Sequence, residues 1–208
     1  RAISATIDGT HSRIQFTPDL LPSDITGVNM FNQKTGEWVF HAGPVFAEIV
    51  LADEINRASP KTQSALLEVM EEAQVTVDGV RRPAPQPFMV IATQNPVEQA
   101  GTYPLPEAQL DRFLMKTSIG YPSRSAMIDV LDGSASPDRS KNLRPIVSGQ
   151  DIVAWASLAS ANHTDRAVLD YVAALAEATR EDESSLLGVS TRGAIGMVRC
   201  ARVWAAAQ

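Results

Sequence analysis

The sequence predicts an α/β domain built on a parallel sheet, followed by a helical domain. Three short apolar runs, at residues 47–52, 88–92 and 113–119, have the composition of buried parallel strands. Polar groups follow the first two runs directly, beginning at Asp53 and at Thr93. Beyond about residue 120 the strand patterns stop and helical periodicity takes over. We therefore expect an α/β domain over residues 1–120 and a helical domain over residues 121–208.

Composition excludes several classes of protein. A chain of 208 residues is long enough for one large domain or two modest ones. The net charge of −6 argues against a mainly electrostatic grip on nucleic acid, although a local basic patch stays possible. The single cysteine, Cys200, excludes a disulfide framework, and its apolar helical surroundings favour a small core residue. No signal peptide and no membrane-spanning apolar run is found, which predicts a cytoplasmic protein.

The first half of the chain alternates strands, turns and helices. Residues 1–10 have the pattern of a helix end and a turn, and residues 13–17 alternate as a strand does. A hairpin is predicted from the β-prone residues 28–31 and 38–41. This hairpin has either a functional role or no role beyond that of an ordinary surface hairpin. Ser59-Pro60 begins a helix to about Glu72, and Asp78-Gly79 marks a second hairpin. A short helix is expected over residues 107–112.

The second half predicts helices and the loops between them. The expected helices cover residues 123–131, residues 148–161 behind a capping box at Ser148 and Asp151, and residues 165–179. A polar loop is expected over residues 134–144. Ser190 or Thr191 caps a last helix that runs to the end of the chain.

Asp53 and Glu54 are the first candidate site residues. Ligands of open α/β sheets bind beyond the carboxyl ends of the strands, where these two acids are predicted to lie. Successive side chains of a strand point to opposite faces, so one acid can hold a metal while the other handles a water. On this stretch alone, a strand that simply stops at solvent explains the pair equally well.

Several long motifs in order carry a family resemblance. They are RIQFTPDLLPSDITG (13–27), GPVF (43–46), LADEINRASPKTQSALLEVMEE (51–72), ATQNPVEQAGTYPLPEAQLDRF (92–113) and GVSTRGAIGMVRCARVWA (188–205). Together they resemble the AAA+ ATPases, and the MoxR family among them closely. The resemblance implies a P-loop NTPase core, in which a parallel sheet is flanked by helices, and a C-terminal helical lid domain.

The resemblance implies a role for each polar group near the sheet. Residues 49–54 match the Walker B motif, in which Asp53 would hold Mg²⁺ through water and Glu54 would orient the water that attacks the γ-phosphate of ATP. Asn95 matches the sensor-1 residue, although a turn residue before Pro96 is the alternative. These roles agree with phosphoryl transfer, which depends mostly on positioning and charge neutralisation.

Two arginines match the remaining nucleotide contacts of the family. Arg112 in LDRF matches the arginine finger, which reaches the nucleotide of the adjacent subunit; the alternative is a helix C-terminal arginine that complements the macrodipole. Arg192 in STRG matches sensor 2 of the lid. Its alternative is an arginine in the first turn of a helix, where a cation is electrostatically unfavourable. Residues 26–43 match the helix-2 insert, a hairpin that faces the central pore, and residues 75–82 match the pre-sensor-1 hairpin.

The phosphate loop of the family is absent from the sequence. No G-x-x-x-x-G-K-[ST] occurs, and no glycine is followed by lysine. We therefore expect an internal fragment that begins in the helix after that loop, lacks the first strand of the sheet, and stops before the family's last elements. Because the loop supplies most phosphate contacts, we expect little ATP binding and no hydrolysis by these residues alone.

The resemblance implies an ATPase that works in a ring, with a hexamer as the expected assembly. Such an enzyme would use ATP hydrolysis to remodel or mature a partner protein, and proteins with von Willebrand factor A domains are possible partners. Two alternatives stay open. One is a non-catalytic interaction fragment that uses the hairpin and the lid, and the other is a chelatase-type AAA+ motor subunit.

Overall fold

The computed structural model describes residues 2–95, 101–132 and 143–208. The strands in this part of the chain are β1 (Ile7–Asp8), β2 (His11–Gln15), β3 (Gly27–Asn32), β4 (Glu37–Ala42), β5 (Ile49–Asp53), β6 (Gln74–Val77), β7 (Val80–Pro83), β8 (Met89–Ala92) and β9 (Val147–Ser148). The helices are α1 (Ala2–Thr6), α2 (Pro22–Thr26), α3 (Pro60–Glu72), α4 (Glu107–Leu110), α5 (Arg124–Leu131), α6 (Gly149–Ala161), α7 (Arg166–Glu181) and α8 (Thr191–Ala206). Most of the predicted loop at 134–144 lies outside the described residues.

A parallel sheet in the order β2-β5-β8 organises the first half of the chain. In its register Ile14 lies beside Ala52, and Ala52 lies beside Ala92. The central strand, β5, is the most apolar, and Val50 and Ala52 are completely buried. Burial on both faces explains the continuous apolar run that predicted this strand. The predicted strands at 47–52 and 88–92 are confirmed, and the strand predicted at 13–17 begins two residues earlier.

Helix α3 covers the sheet and has the predicted bounds. The Ser59 hydroxyl accepts a hydrogen bond from the Thr62 N–H, and Pro60 occupies the first turn. Leu66 and Leu67 are fully buried in the core beside Phe16. Burying a leucine side chain of this kind stabilises the fold by roughly 1.5–3 kcal/mol, so α3 is held mainly by its apolar face.

The two hairpins that the sequence predicts, β3–β4 and β6–β7, each form a separate two-stranded antiparallel sheet. In the β3–β4 hairpin, Phe31 lies opposite Trp38, and their ring centroids are 5.5 Å apart. Asn29 on β3 donates a 2.6 Å hydrogen bond to Asp78 at the turn of the β6–β7 hairpin. The guanidinium carbon of Arg82 lies 3.7 Å from the ring centroid of Phe40, a cation–π contact. The two hairpins therefore contact each other directly.

The strand predicted at residues 113–119 is wrong. These residues form no strand, and Ile119 is fully exposed. A strand needs a partner for its backbone groups, and within the described residues β8 pairs only with β5. The helix predicted at 107–112 is also shorter, because α4 ends at Leu110.

The second half of the described chain is mainly helical. Helix α6 carries the predicted capping box, in which Asp151 accepts a 2.9 Å hydrogen bond from the Ser148 N–H. Asn162 donates to the Arg202 carbonyl at 3.1 Å, which joins the end of α6 to α8. A two-residue parallel pairing of β1 with β9 connects the start of the chain to this half, and the sequence did not predict it. A domain boundary near residue 120 stays a prediction.

Candidate functional site

Asp53 and Glu54 lie where the central strand meets its following turn. Strand β5 ends at Asp53, and Glu54 adopts left-handed backbone angles of φ 55° and ψ 49°. A left-handed conformation is uncommon for a residue with a Cβ, and it redirects the chain sharply. The Asp53 and Glu54 side chains are 23% and 26% exposed, so both are partly sheltered yet accessible.

Thr93, the residue after β8, links the two acids. Its hydroxyl donates a 2.5 Å hydrogen bond to Asp53 Oδ1 and accepts a 2.9 Å hydrogen bond from the Glu54 N–H. The Thr93 side chain therefore fixes both the carboxylate of Asp53 and the unusual backbone of Glu54. The sequence placed Thr93 among the polar groups at the carboxyl end of the adjacent strand, but it predicted no role for this hydroxyl.

Asp53 is held ionised by its neighbours. Besides Thr93, its carboxylate contacts Arg13 of β2, with the guanidinium Nη2 2.5 Å from Oδ2. The Thr93 hydrogen bond, followed by the Arg13 hydrogen bond, lowers the pKa of Asp53 below its ordinary value of 3.8; burial opposes this shift, and the charge of Arg13 adds to it. Asp53 is thus a carboxylate throughout the physiological pH range.

Glu54 is oriented from two sides. The Gln15 side-chain amide donates to Glu54 Oε2 at 2.8 Å, and Arg57 Nη1 lies 3.2 Å from the same oxygen. Gln15 belongs to β2 and Arg57 to the turn after β5, so the sheet and the turn both position this carboxylate. Neither residue was identified from the sequence as part of the site.

Asn95 lies on the same edge of the sheet, two residues after Thr93. Its backbone carbonyl accepts a 3.3 Å hydrogen bond from the Asn56 side chain, which belongs to the turn after Glu54. The structure therefore ties the chain at Asn95 to the turn that follows the carboxylate pair.

Arg112 and Arg192 form a second cluster around one carboxylate. Arg112 Nη2 lies 2.9 Å from Glu71 Oε2, and Arg192 Nη2 forms an ion pair with Glu71 Oε1. Arg192 also lies 3.6 Å from Asp111, whose other oxygen accepts a 2.6 Å hydrogen bond from Ser190. Arg192 occupies the first turn of α8, as expected, and these two carboxylates offset the unfavourable macrodipole there.

The two clusters lie at opposite ends of α3. Glu71 is in its last turn, whereas Asp53 and Glu54 precede its first residue, and a helix of 13 residues is about 20 Å long. An open cleft of about 260 Å³ lies at the arginine end, lined by Ser64, Glu68, Glu71, Glu72, Gln109 and Arg112. Three glutamates make this cleft unsuited to a triphosphate.

The acids at the strand end suit a hydrated magnesium ion. No group of three or more His, Cys, Asp or Glu residues that could hold a metal occurs in the part of the chain that the structure describes. Mg²⁺ needs no such group, since it keeps several waters and uses one or two carboxylates. Each Asp53 oxygen accepts one of the hydrogen bonds described above, which leaves lone pairs for a metal-bound water.

Comparison with known protein families identifies the chain. The profile of the "ATPase family associated with various cellular activities (AAA)" matches residues 1–115, over half of the sequence. The chain belongs to this family. The profile "AAA lid domain" matches residues 177–208, within the helical half. The family resemblance of the motifs is thereby confirmed, and within the family the chain is of the MoxR type.

Individual relatives agree with this assignment. Over 205 residues, or 99% of the chain, it is 49% identical to YeaC of Bacillus subtilis. Over 94% of the chain it is 44% identical to "Chaperone MoxR1" of Mycobacterium tuberculosis, and over 99% of the chain it is 30% identical to "Protein MoxR" of Paracoccus denitrificans. The chain spans 64% of YeaC and 54% of MoxR1.

A crystal structure of a protein from Cytophaga hutchinsonii supports the fold. It matches 99% of this chain with a TM-score of 0.85 and 42% sequence identity, and the match covers 65% of that protein. The AAA+ fold, with a parallel sheet flanked by helices and a lid, is therefore the fold of this chain. None of the helices in the described ranges is long and apolar enough to cross a bilayer.

Proposed function

We propose that this chain is part of a MoxR-type AAA+ ATPase that couples Mg-ATP hydrolysis to the remodelling or maturation of partner proteins. The observation that carries the proposal is the arrangement of Asp53 and Glu54 at the carboxyl end of the central strand, joined through Thr93. Family membership and the relative named as a chaperone support the same function.

The two acids have different proposed roles. Asp53, an ionised carboxylate, would hold Mg²⁺ through water, and the ion would neutralise phosphate charge. Glu54 would orient and polarise the attacking water, since its carboxylate is accessible and is fixed by Gln15 and Arg57. Asn95 would add a hydrogen bond to that water or to the γ-phosphate.

The two arginines are proposed to act on phosphate from outside the core of the site. Arg112 is the proposed arginine finger for a neighbouring subunit, and Arg192 is the proposed sensor-2 residue of the lid. Both arginines pair with Glu71 and not with the carboxylates of Asp53 or Glu54, so the role of Arg112 in trans rests on its match to the family motif. A residue that acts on a neighbour needs an oligomer, and we propose a hexameric ring.

The β3–β4 hairpin is the proposed contact with partner proteins. Its side chains Met30, Phe31 and Trp38 are 54%, 51% and 70% exposed, an unusual concentration of apolar surface at one end of a hairpin. A pore-facing hairpin with this surface could engage apolar segments of a client, such as a protein with a von Willebrand factor A domain. Because the work needs ATP, the proposed location is the cytoplasm.

The activity is proposed for the complete protein. These 208 residues contain no Walker A sequence, so we propose that alone they bind Mg-ATP weakly and do not hydrolyse it. Calorimetric titration of the 208 residues with Mg-ATP tests this point. Clear binding would contradict the proposal of an inactive fragment, and it would also argue against a purely non-catalytic interaction module.

Substitution of Glu54 tests the catalytic assignment. In the protein expressed from its complete coding sequence, Glu54→Gln should lower the ATPase rate by at least about 10²-fold while Mg-ATP still binds, because the amide keeps the shape but not the charge. Glu177→Gln, an exposed substitution on α7, is the matched control and should leave the rate unchanged. Undiminished turnover in Glu54→Gln would disprove the assignment.

A chelatase-type motor remains a competing function for the same fold. Such a subunit would support ATP-dependent insertion of a metal into a tetrapyrrole, which a MoxR-type remodelling enzyme would not. Assay of the complete protein with Mg-ATP, a porphyrin substrate and a divalent metal distinguishes the two, because only the chelatase-type function predicts metallated product.

A further inference from the structure

A buried amide joins the turn after Glu54 to the chain beyond β8. Gln63 of α3 is only 1% exposed, and its Nε2 lies within hydrogen-bond distance of three backbone carbonyls. These are the carbonyls of Ile55 at 3.2 Å, Ala58 at 3.1 Å and Tyr103 at 2.8 Å. Ile55 and Ala58 bound the turn that follows the carboxylate pair, whereas Tyr103 comes from the segment after the proposed sensor residue. One side chain therefore fixes both.

Asn56 makes a second connection between the same two segments. Its side-chain Nδ2 donates to the Asn95 carbonyl at 3.3 Å, and its own backbone carbonyl accepts a 2.6 Å hydrogen bond from the Tyr103 N–H. Asn56 is 6% exposed, and among the described residues its Oδ1 has no hydrogen-bond partner. The side chain and the backbone of Asn56 therefore both bond to the chain that follows β8.

These hydrogen bonds hold the turn after Glu54 close to the chain around Asn95. Ile55, the residue after Glu54, donates its N–H to the Thr93 carbonyl at 3.0 Å, two residues before Asn95. Together with the bonds of Asn56 and Gln63, this ties the turn after β5 to the chain after β8 on both sides of Asn95. Catalytic groups a fraction of an ångström out of place lose much of their effect, so a rigid connection at this point has a direct use.

We propose that Asn56 and Gln63 are positioning residues, which hold Asn95 at a fixed place relative to the carboxylate of Glu54. The inference rests on the proposed function, in which Asn95 and Glu54 act on the same water or phosphate. Neither Asn56 nor Gln63 contacts the nucleotide in this proposal. They affect hydrolysis only by positioning Asn95. An experiment can therefore separate this effect from a general effect on folding.

A double-mutant cycle on the complete protein tests the inference. Gln63→Met keeps the volume and the apolar stem but removes the amide, while Asn95→Ala removes the sensor side chain and leaves its backbone carbonyl in place. We expect Gln63→Met to lower kcat for ATP by roughly tenfold with KM changed by less than about twofold. In the Asn95→Ala background the same substitution should change kcat by less than about twofold, because the group it positions is already gone.

Thr62→Val is the matched control. Thr62 is the neighbour of Gln63 on α3, is fully buried, and donates a 2.7 Å hydrogen bond to the Leu20 carbonyl, away from Asn95. It should lower the melting temperature without lowering kcat at a temperature where the protein is folded. If Gln63→Met does not fold, Asn56→Ala replaces it in the cycle, since it removes the bond to Asn95 and keeps the backbone bond to Tyr103.

The outcomes separate the two proposals. Two results would overturn the positioning role and leave the proposed function intact. In the first, the losses of kcat from Gln63→Met and Asn95→Ala multiply in the double variant. In the second, Asn95→Ala lowers kcat but Gln63→Met does not. Unchanged kcat in Asn95→Ala would overturn the sensor assignment and the positioning role with it.

Discussion

The hydroxyl of Thr93 lies 2.5 Å from the carboxylate of Asp53 and is the largest cause of that carboxyl group's lowered pKa. The same oxygen accepts the N–H of Glu54 at 2.9 Å. Thr93, the residue after β8, thus lowers the pKa of Asp53 and also holds the backbone N–H of Glu54. The functional pair depends on a residue from a different strand, which is why the sheet must form before the site exists.

Replacing Thr93 with valine should raise the pKa of Asp53 toward 3.8, because the isosteric side chain cannot donate to the carboxylate. The sign of the stability effect follows from linkage. A carboxyl whose pKa is lowered by folding stabilises the protein above its unfolded pKa, and this contribution is lost as the pH falls through the folded value. The wild-type protein should therefore lose more stability than Thr93→Val between about pH 5 and pH 2.

Carbon-13 NMR titration of the Asp53 carboxyl checks the pKa, and urea unfolding at several pH values checks the linkage. Thr93→Ser keeps the hydroxyl and is the control, with an Asp53 titration close to wild type. An identical Asp53 titration curve in Thr93→Val and wild type would show that the hydroxyl does not set this pKa.

Removing the charge of Glu71 should separate the two arginines that it joins. In Glu71→Gln only one side-chain atom, the amide oxygen, can accept a hydrogen bond from Arg112 or Arg192. The positive charges of the two arginines then repel each other across a short distance. Because all three side chains are about a third to a half exposed, the stability loss should be small, about 0.5–1 kcal/mol, and should shrink in high salt.

Urea unfolding at low and high ionic strength measures this effect. Glu72→Gln is the matched control, since Glu72 is the next residue and the described part of the chain shows no ion pair for it. A stability loss in Glu71→Gln that is the same at both salt concentrations would argue that the carboxylate acts through packing and not through charge.

Much of the α/β part could be predicted because its signals are local. The apolar run of β5, the Ser59-Pro60 start of α3 and the Asp78-Gly79 turn each specify their own structure, and each was found in place. The strand predicted at 113–119 was wrong because a strand also needs a partner, and pairing cannot be deduced from an apolar run alone.

The candidate site residues that the sequence predicted, Asn95 among them, all lie in long motifs that match the family. Asp53, Glu54, Arg112 and Arg192 came from such motifs, and their catalytic roles stay predictions. The contacts of Thr93 and Gln15 with the two acids were not predicted, because they are hydrogen bonds across the register of the parallel strands. The ion pairs at Glu71 were missed for a similar reason, since they join residues up to 121 positions apart.

A glycine at the base of the β3–β4 hairpin should be hard to replace. A Cβ on Gly43 would collide with the backbone carbonyl of Ile25 and with the Gly27 nitrogen, which are fixed main-chain atoms. Gly43→Ala should therefore destabilise the protein by about 1–3 kcal/mol through overpacking. It should also change the angle of the hairpin that we propose contacts partner proteins.

Gly36→Ala, at the tip of the same hairpin, provides the control. Gly36 has φ +71°, but a Cβ added there would meet no atom within 4 Å, so alanine costs only the left-handed conformation, about 1 kcal/mol. Urea unfolding should place Gly43→Ala below Gly36→Ala in stability. The fluorescence of Trp38, measured in a background without the other two tryptophans, should change more in Gly43→Ala. Equal stability of the two variants would mean that the close approach of Gly43 to Ile25 is relieved at little cost, and that the base of the hairpin is not tightly packed.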